Sequence, residues 1–512
     1  MHYNLKSKIV FKTYTPNQIL LFPSSLEEKI DQNHPVRIVN NIIDRIDIEP
    51  LIKKYKGGGS SSYHPRMMLK VLVYAYLVNM YHSRKIEAAT KENIHFMWLS
   101  GMSQPDHNTI NRFRSERLKE VLKEVFSQVV MLLNEQGFVS LKEVYLDGTK
   151  IEANANRYSF VWGGTVNRSR QRIKEQLKEL WNYTQQVAAE ELQDTQPREF
   201  EEIDAQQVSE TIQRIDQALR GKSIPRPIRK KIQYAKRCWA KNMDKYEQQG
   251  TILGKRRSYS KTDQEATFMP MKEDLKGKGQ LKPAYNLQIS TSDQFILNYS
   301  IHQTTNDITT LRPHLEEFRV LYDRGPEALC ADAGYGSEEN YTYLEKEDIE
   351  NYVKYYLFDK EQTEPYKSDP FRVDNLYINE ERDIVYCPMG QPMTKIDERI
   401  VYSETGFSQQ QHRYQAQNCN GCPLRGPCFK GKGNRTIAIN PYLRKHKQKA
   451  RENLLSEQGV KHRKKRVVDV EPVFAFIKHN KKFRRFNLRG LEKVKIETGL
   501  LAIAHNLSKI AA

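Results

Sequence analysis

Two short apolar runs each deliver an aspartate into a turn. Val144-Tyr145-Leu146 reads as a buried strand by its β-branched and aromatic content, and Asp147-Gly148 follows as its exit. Ala328-Leu329-Cys330-Ala331 reads the same way, with Asp332 leading into the small-residue turn Ala333-Gly334-Tyr335-Gly336. Taken singly, an Asp-Gly after a strand is an ordinary turn former. As a pair, two acids leaving two buried strands can converge on one sheet edge. Carboxylates there are hard oxygen ligands for Mg²⁺ or Mn²⁺, and a pair of such ions serves in-line attack at a phosphodiester. The last block offers a third acid. Val470-Glu471-Pro472 opens a helix with Pro in its first turn, so Glu471 lies at the positive end of the helix dipole, which keeps its carboxylate ionised. Lys478, on the same helical face as Phe474, can then reach a phosphate beside the metals. On local grounds Glu471 is equally a favourable first-turn acid, and Asp469 and Glu497 compete with it as third ligand.

A second group of residues could hold a different metal. Cys419 and Cys422 form a C-x₂-C pair, Cys428 follows, and Cys387 lies upstream, together a tetrahedral thiolate set suited to a structural Zn²⁺. The alternative is free buried thiols. Cys238 and Cys330 lie apart from the cluster and read as core residues.

Bulk properties set the class of partner. The 512-residue chain carries 82 Lys and Arg against 63 Asp and Glu, a formal charge of +19, which points to a polyanion. A nucleic acid fits better than a membrane. The longest apolar run, Met67 to Met80, is broken by Lys70 and is too short to cross a bilayer, and Lys6 and Lys8 are followed by no signal-peptide core. The expected location is the cytosol, where clustered cysteines favour a metal over disulfides.

The elements that must position these groups follow from periodicity. Residues 1–135 read as helical, with Pro65–Leu77 apolar nearly all round, Ser83 capping Arg84–Glu92, and a further capped helix from His107. Helix, glycine-containing turn, then a helix bearing Asn108, Asn111, Arg112 and Arg114 fits a helix-turn-helix that contacts DNA; an ordinary helical domain with a solvated polar face fits equally. Residues 140–164 supply the first strand of an α/β core. Residues 165–255 form an antiparallel helical insertion whose basic end, Arg226–Lys241 with Trp239, is a solvated face or a DNA clamp. Over 260–360, a hairpin of Lys282–Ser290 and Phe295–His302 precedes a helix, the Asp332 strand, a helix and a strand at Tyr352–Leu357. Counting from the Asp147 strand, this is the order of an RNase H-like sheet. Residues 361–440 hold the cysteines, and 441–512 hold a basic segment and the Glu471 helix.

These motifs, in order, resemble the bacterial insertion-sequence transposases of the DDE type, in the IS4/IS5-like branch with a helical N-terminal domain and a four-cysteine insert. The resemblance is carried by Pro105–Phe113, Leu146–Thr149, Ala284–Gln288, Ala331–Tyr335, Val470–Phe474 and Arg489-Gly490 ahead of Glu497. It implies an RNase H-like core in which Asp147, Asp332 and Glu471 hold two Mg²⁺ or Mn²⁺ ions, with Lys478 on a phosphate near the terminal bases. It also implies cutting at terminal inverted repeats and joining to target DNA by a dimer or larger assembly. Arg484, Arg485 and Arg489 extend the basic surface toward DNA. The chain departs from the pattern at Ala475, where relatives usually have Gly, and at Val467, where they place an Arg; Arg466 is the substitute. Two other classes share the same residues: a DNA-binding regulator with a degenerate core, and an RNase H-like nuclease selective for branched DNA or hybrids.

Overall fold

The computed structural model describes residues 25–55, 62–192, 200, 202–271 and 280–511; Lys6 and Lys8 lie outside them. The N-terminal helices of six residues or more are α1 (Pro35–Arg45), α2 (Pro65–Leu77), α3 (Ser83–Glu92), α4 (Ile94–Leu99), α5 (His107–Arg112) and α6 (Leu122–Glu135). As its composition requires, α2 is buried along most of its length, from Met68 to Tyr76. Ser83 does not cap α3. It is the first helical residue, and the cap position falls to His82, which makes no side-chain cap bond. Glu87 instead accepts from the backbone N of His107 at 3.0 Å and pairs with its ring at 2.7 Å, tying α3 to α5. Asp106 caps α5 through Thr109 N, and beyond Arg112 the backbone widens into a π turn over Phe113–Arg117.

Next come β1 (Glu143–Glu152) and β2 (Phe160–Trp162), then three long helices, α7 (Gly163–Ala188), α8 (Ala205–Ala218) and α9 (Arg226–Leu253). The segment expected to end in a basic face is the third helix of a bundle. Its Trp239 and Met243 are buried with Ile173, Leu177, Val208 and Ile215, so only the outward side of Arg226–Lys241 is basic surface. β3 (Ser258–Ser260) pairs with β2 and closes the base of this bundle.

The main sheet is completed by β4 (Thr267–Pro270), β5 (Leu281–Ser292) and β6 (Phe295–His302). After α10 (Leu311–Tyr322) come β7 (Ala328–Ala331), α11 (Glu338–Lys346) and β8 (Glu350–Val353). Strand order is β6-β5-β1-β7-β8, with β4 sharing the outer edge of β5. β1, β7 and β8 run parallel; β5 is antiparallel to β1, and β6 to β5. The β5–β6 hairpin turns through Asp293 and Gln294, both at positive φ (51° and 65°), as a two-residue turn with right-handed strand twist requires. The strand expected at Tyr352–Leu357 starts earlier and stops at Val353. There Tyr355 leaves the sheet to donate its hydroxyl to Glu361, and Arg451 bonds both residues.

A second, antiparallel sheet follows, ordered β13-β12-β11-β10-β9 from β9 (Ile378–Asn379), β10 (Ile384–Tyr386), β11 (Pro392–Tyr402), β12 (Ser408–Ala416) and β13 (Thr436–Ile439). It has its own small core around Val385, Met393 and Tyr414. The chain then returns to the main sheet through α12 (Pro441–Leu455), α13 (Glu457–Asp469), α14 (Glu471–Ala475) and α15 (Leu491–Ile510). α15 is buried over most of its length. Its Leu500, Ile503 and Leu507 share one continuous core with Val71 and Leu72 of α2, Phe126 of α6 and Leu287 of β5. Asn506 of α15 bonds both the N and the O of Ile296, meeting the backbone of β6 as a neighbouring strand would.

Candidate active site

Register brings the first two acids together. β1 and β7 are parallel, and Leu146 lies opposite Ala331, so Asp147 and Asp332 are the next residues on neighbouring strands. Asp147 is not at a strand end, however. β1 runs on through Gly148 to Glu152 because β5 continues to pair with it, Asp147 lying opposite Ile289. Only β7 stops, and its stopping opens the space beside Asp147. The Asp147 carboxylate accepts from Gly148 N at 2.7 Å, and that of Asp332 accepts from Gly334 N at 2.9 Å, so each is fixed by the turn or strand that follows it.

Glu471 reaches this edge from the helices above it. His462 of α13 bonds Tyr145 at 2.9 Å and lies against the ring of Tyr352, seating α13 on the sheet. At its end, Asp469 accepts from Asp293 N and Gln294 N, at 2.7 and 3.1 Å, so it secures the β5–β6 turn. Two residues later comes Glu471. Asp469 is thus spent on a backbone turn. Glu497 is fully buried, accepts from Asn487 N and Leu488 N, and is pushed toward its neutral form by desolvation; neither competes as third acid.

Arg466 closes the arrangement. One guanidinium nitrogen lies 3.3 Å from Asp147 Oδ2 and another 3.5 Å from Glu471 Oε1, so a positive charge spans the first and third acids. Among the described residues no group of three or more His, Cys, Asp or Glu is arranged as a ready metal cage. What these carboxylates share is hard oxygen chemistry and an accommodated cation between two of them, which fits Mg²⁺ or Mn²⁺ by donor type.

Lys478 lies beyond the end of α14 at Ala475, in a π turn over Phe476–Asn480. It is half-buried, and its carbonyl accepts from Arg484. Arg485 donates to Ala153 O and Ala155 O, and Arg489 to Asn154 O, so these exposed arginines brace the chain leaving β1.

Of the four helix residues expected to meet DNA, Asn108, Asn111 and Arg112 are exposed. Arg114 is not. It is 3% exposed and donates to Tyr76 OH, Tyr81 O and Asn111 Oδ1, four residues after the buried Ile110 on the same helical face. Tyr76 in turn donates to Glu497, so Arg114 is part of the joint between the N-terminal helices and α15. The four cysteines Cys387, Cys419, Cys422 and Cys428 line one small cleft; Arg435 donates to Cys428 Sγ at 3.0 Å and its backbone N to Cys419 Sγ at 3.3 Å.

A buried polar system beneath the acids went unread in the sequence. Asn286 and Gln288, on β5, both donate to Asp307 Oδ1, at 2.7 and 2.9 Å, and Tyr335 donates to Gln288 Oε1. Burial, then the carboxylates of Asp307, Asp147 and Asp332, hold the Tyr335 phenol well above its ordinary pKa. The available signal was two amides at alternate positions of a strand otherwise apolar enough to be buried.

Two family models match the chain. Residues 386–511 match one described as "Transposase DDE domain", and residues 24–116 match one described as "Transposase domain (DUF772)". The first includes Glu471 and Lys478; neither includes Asp147 or Asp332. No curated protein and no solved structure matches the chain.

Proposed function

We propose that this chain, two stretches of which match transposase models, is a DDE transposase of the insertion-sequence type, that Asp147, Asp332 and Glu471 form its catalytic carboxylate set, and that it cuts and joins DNA at the inverted repeats of its own element. The observation that carries this reading is the pairing of Leu146 with Ala331, which sets two of the acids side by side, together with Arg466 linking the first to the third. The strand order β6-β5-β1-β7-β8, with only β5 reversed, supports an RNase H-like core. Asp147, Asp332 and Glu471 would hold two Mg²⁺ or Mn²⁺ ions, whose contribution is to activate water, and later a DNA 3′-hydroxyl, for in-line attack. Arg466 keeps the acids together until positive charge arrives, and Lys478 serves the scissile phosphate.

DNA ends are gripped by the N-terminal region, residues 1–135, through Asn108, Asn111 and Arg112, and by Arg484, Arg485 and Arg489. A net charge of +19 then makes binding fall steeply with salt. Residues 165–255 and 361–440 are insertions into the core, and two copies act on paired ends. Zinc at Cys387, Cys419, Cys422 and Cys428 is proposed from the chemistry of four thiols around one cleft, which among the described residues does not draw three of them into a ready metal cage; one zinc per chain in purified protein, lost in Cys419→Ser, is the expected result.

The main test uses a DNA fragment carrying the gene and its flanks, with Mg²⁺ or Mn²⁺. Wild type should cut at inverted repeats bordering the gene and Asp332→Asn should not. Binding without any cut from wild type in either metal would overturn the catalytic reading.

A further inference from the structure

Asp307 lies in the loop between β6 and α10, outside every motif that pointed to the site. Its Oδ1 is occupied by two amides, Asn286 Nδ2 at 2.7 Å and Gln288 Nε2 at 2.9 Å, and Gln288 also donates to Asn286 Oδ1 at 3.0 Å. Both amides are fully buried on β5, whose neighbour β1 carries Asp147. Burying two amides is costly unless each is bonded, so the strand is built around an acceptor at this point.

The other oxygen is aimed elsewhere. A methyl carbon placed on Gly334 would lie 3.0 Å from Asp332 Oδ1 and 3.8 Å from Asp307 Oδ2. Asp307 Cβ lies at the same 3.8 Å, so the side chains of Asp332 and Asp307 flank Gly334, the residue whose N fixes Asp332. For hydrogen bonding alone a neutral Asn at 307 would serve equally, since its single oxygen could take the Oδ1 position. Only the charge on Oδ2 distinguishes Asp from Asn here.

We infer that Asp307 is a fourth carboxylate of the divalent-cation site, a positioning residue that sets the charge beside Asp332 and is itself held by Asn286 and Gln288. This rests on the reading that Asp147, Asp332 and Glu471 hold the ions. Burial and the acids around it keep the Tyr335 hydroxyl protonated, so it donates to Gln288 and completes the support.

The test is Mn²⁺ binding to full-length protein, followed by the paramagnetic signal of the free ion, beside thermal unfolding without metal. Asp307→Asn should unfold within a few degrees of wild type yet bind Mn²⁺ about 10–100-fold more weakly, the loss typical of groups that orient metal ligands. DNA cleavage should recover in part at high Mn²⁺. Wild-type Mn²⁺ affinity in Asp307→Asn, with binding lost in Asp332→Asn, would overturn the role of Asp307 alone. No Mn²⁺ binding by wild type, or unchanged binding in Asp332→Asn, would instead overturn the reading beneath it. Should Asp307→Asn not fold, Asn286→Ala, which leaves Asp307 one amide, decides: weaker Mn²⁺ binding is expected, and unchanged binding refutes the inference.

Discussion

Gly148→Ala is the smallest change that reaches this site, and its effect can be worked out from contacts. A methyl carbon on Gly148 would overlap Gln288 Nε2 and lie 2.8 Å from Oε1 and 2.9 Å from Cδ. Gln288 cannot swing aside freely, because it is fully buried and bonded to Asn286, Asp307 and Tyr335. Forcing a methyl into a packed core costs about 1–3 kcal/mol, and losing one or two buried hydrogen bonds adds about 1 kcal/mol each, so about 2–5 kcal/mol is expected. Urea unfolding of wild type, Gly148→Ala, Gln288→Ala and the double variant measures it. Removing the glutamine side chain makes room for the methyl, so the double variant should be no less stable than Gln288→Ala, with coupling of about 1–3 kcal/mol. DNA cleavage by Gly148→Ala should fall, because Asp147 and Asp307 both adjoin the disturbed residues. A single-variant cost below about 0.5 kcal/mol, the range of unremarkable surface changes, would refute the reasoning.

Other expectations are as specific. Arg114→Met should destabilise by about 3–5 kcal/mol, because buried Glu497 loses the positive charge relayed to it through Tyr76, while Arg112→Ala should stay within about 0.5 kcal/mol and weaken binding to the element's ends. Acidification should destabilise the fold. Burial lowers His505 from its ordinary 6.5 to about 4 and holds His314 well below 6.5, so the unfolded chain binds these protons first. Stability is therefore full above pH 6.5 and falls below it at up to about 1.4 kcal/mol per pH unit per histidine, for His505 until pH 4; calorimetry at several pH values, with His505→Gln removing part of the slope, checks this. Trp239→Ala should cost the α7–α9 bundle about 3–5 kcal/mol and open it to limited proteolysis while the main sheet, whose core is separate, stays protected.

Strands and long helices were readable because their periodicity reports burial: the β5–β6 hairpin, α2 and the bundle stripes follow from it. The pairing of Asp147 with Asp332 was readable for a related reason, since both follow runs too apolar to lie anywhere but in a sheet interior. What sequence could not convey was which neighbour pairs with which residue. Asp147 looked terminal because Asp-Gly usually turns a chain, yet β5 holds it within a longer strand. By residue type Arg114 suits a DNA contact, yet it lies four residues after the buried Ile110 and beside the buried Phe113, on the face the helix turns to the core. Asp307 was missed because its partners lie 19 and 21 positions away in sequence, on another element.

The shared burial of α2, α6 and α15 with the main sheet bears on how accurately such a protein could cut. Helices joined to a sheet through a common interior cannot pivot about it as a tethered module would. Under the proposed function, the spacing between the bases that are gripped and the phosphate that is broken becomes a length built into the folded body. Loosening the Arg114–Tyr76–Glu497 joint would then scatter the cut over neighbouring phosphates before it abolished cutting.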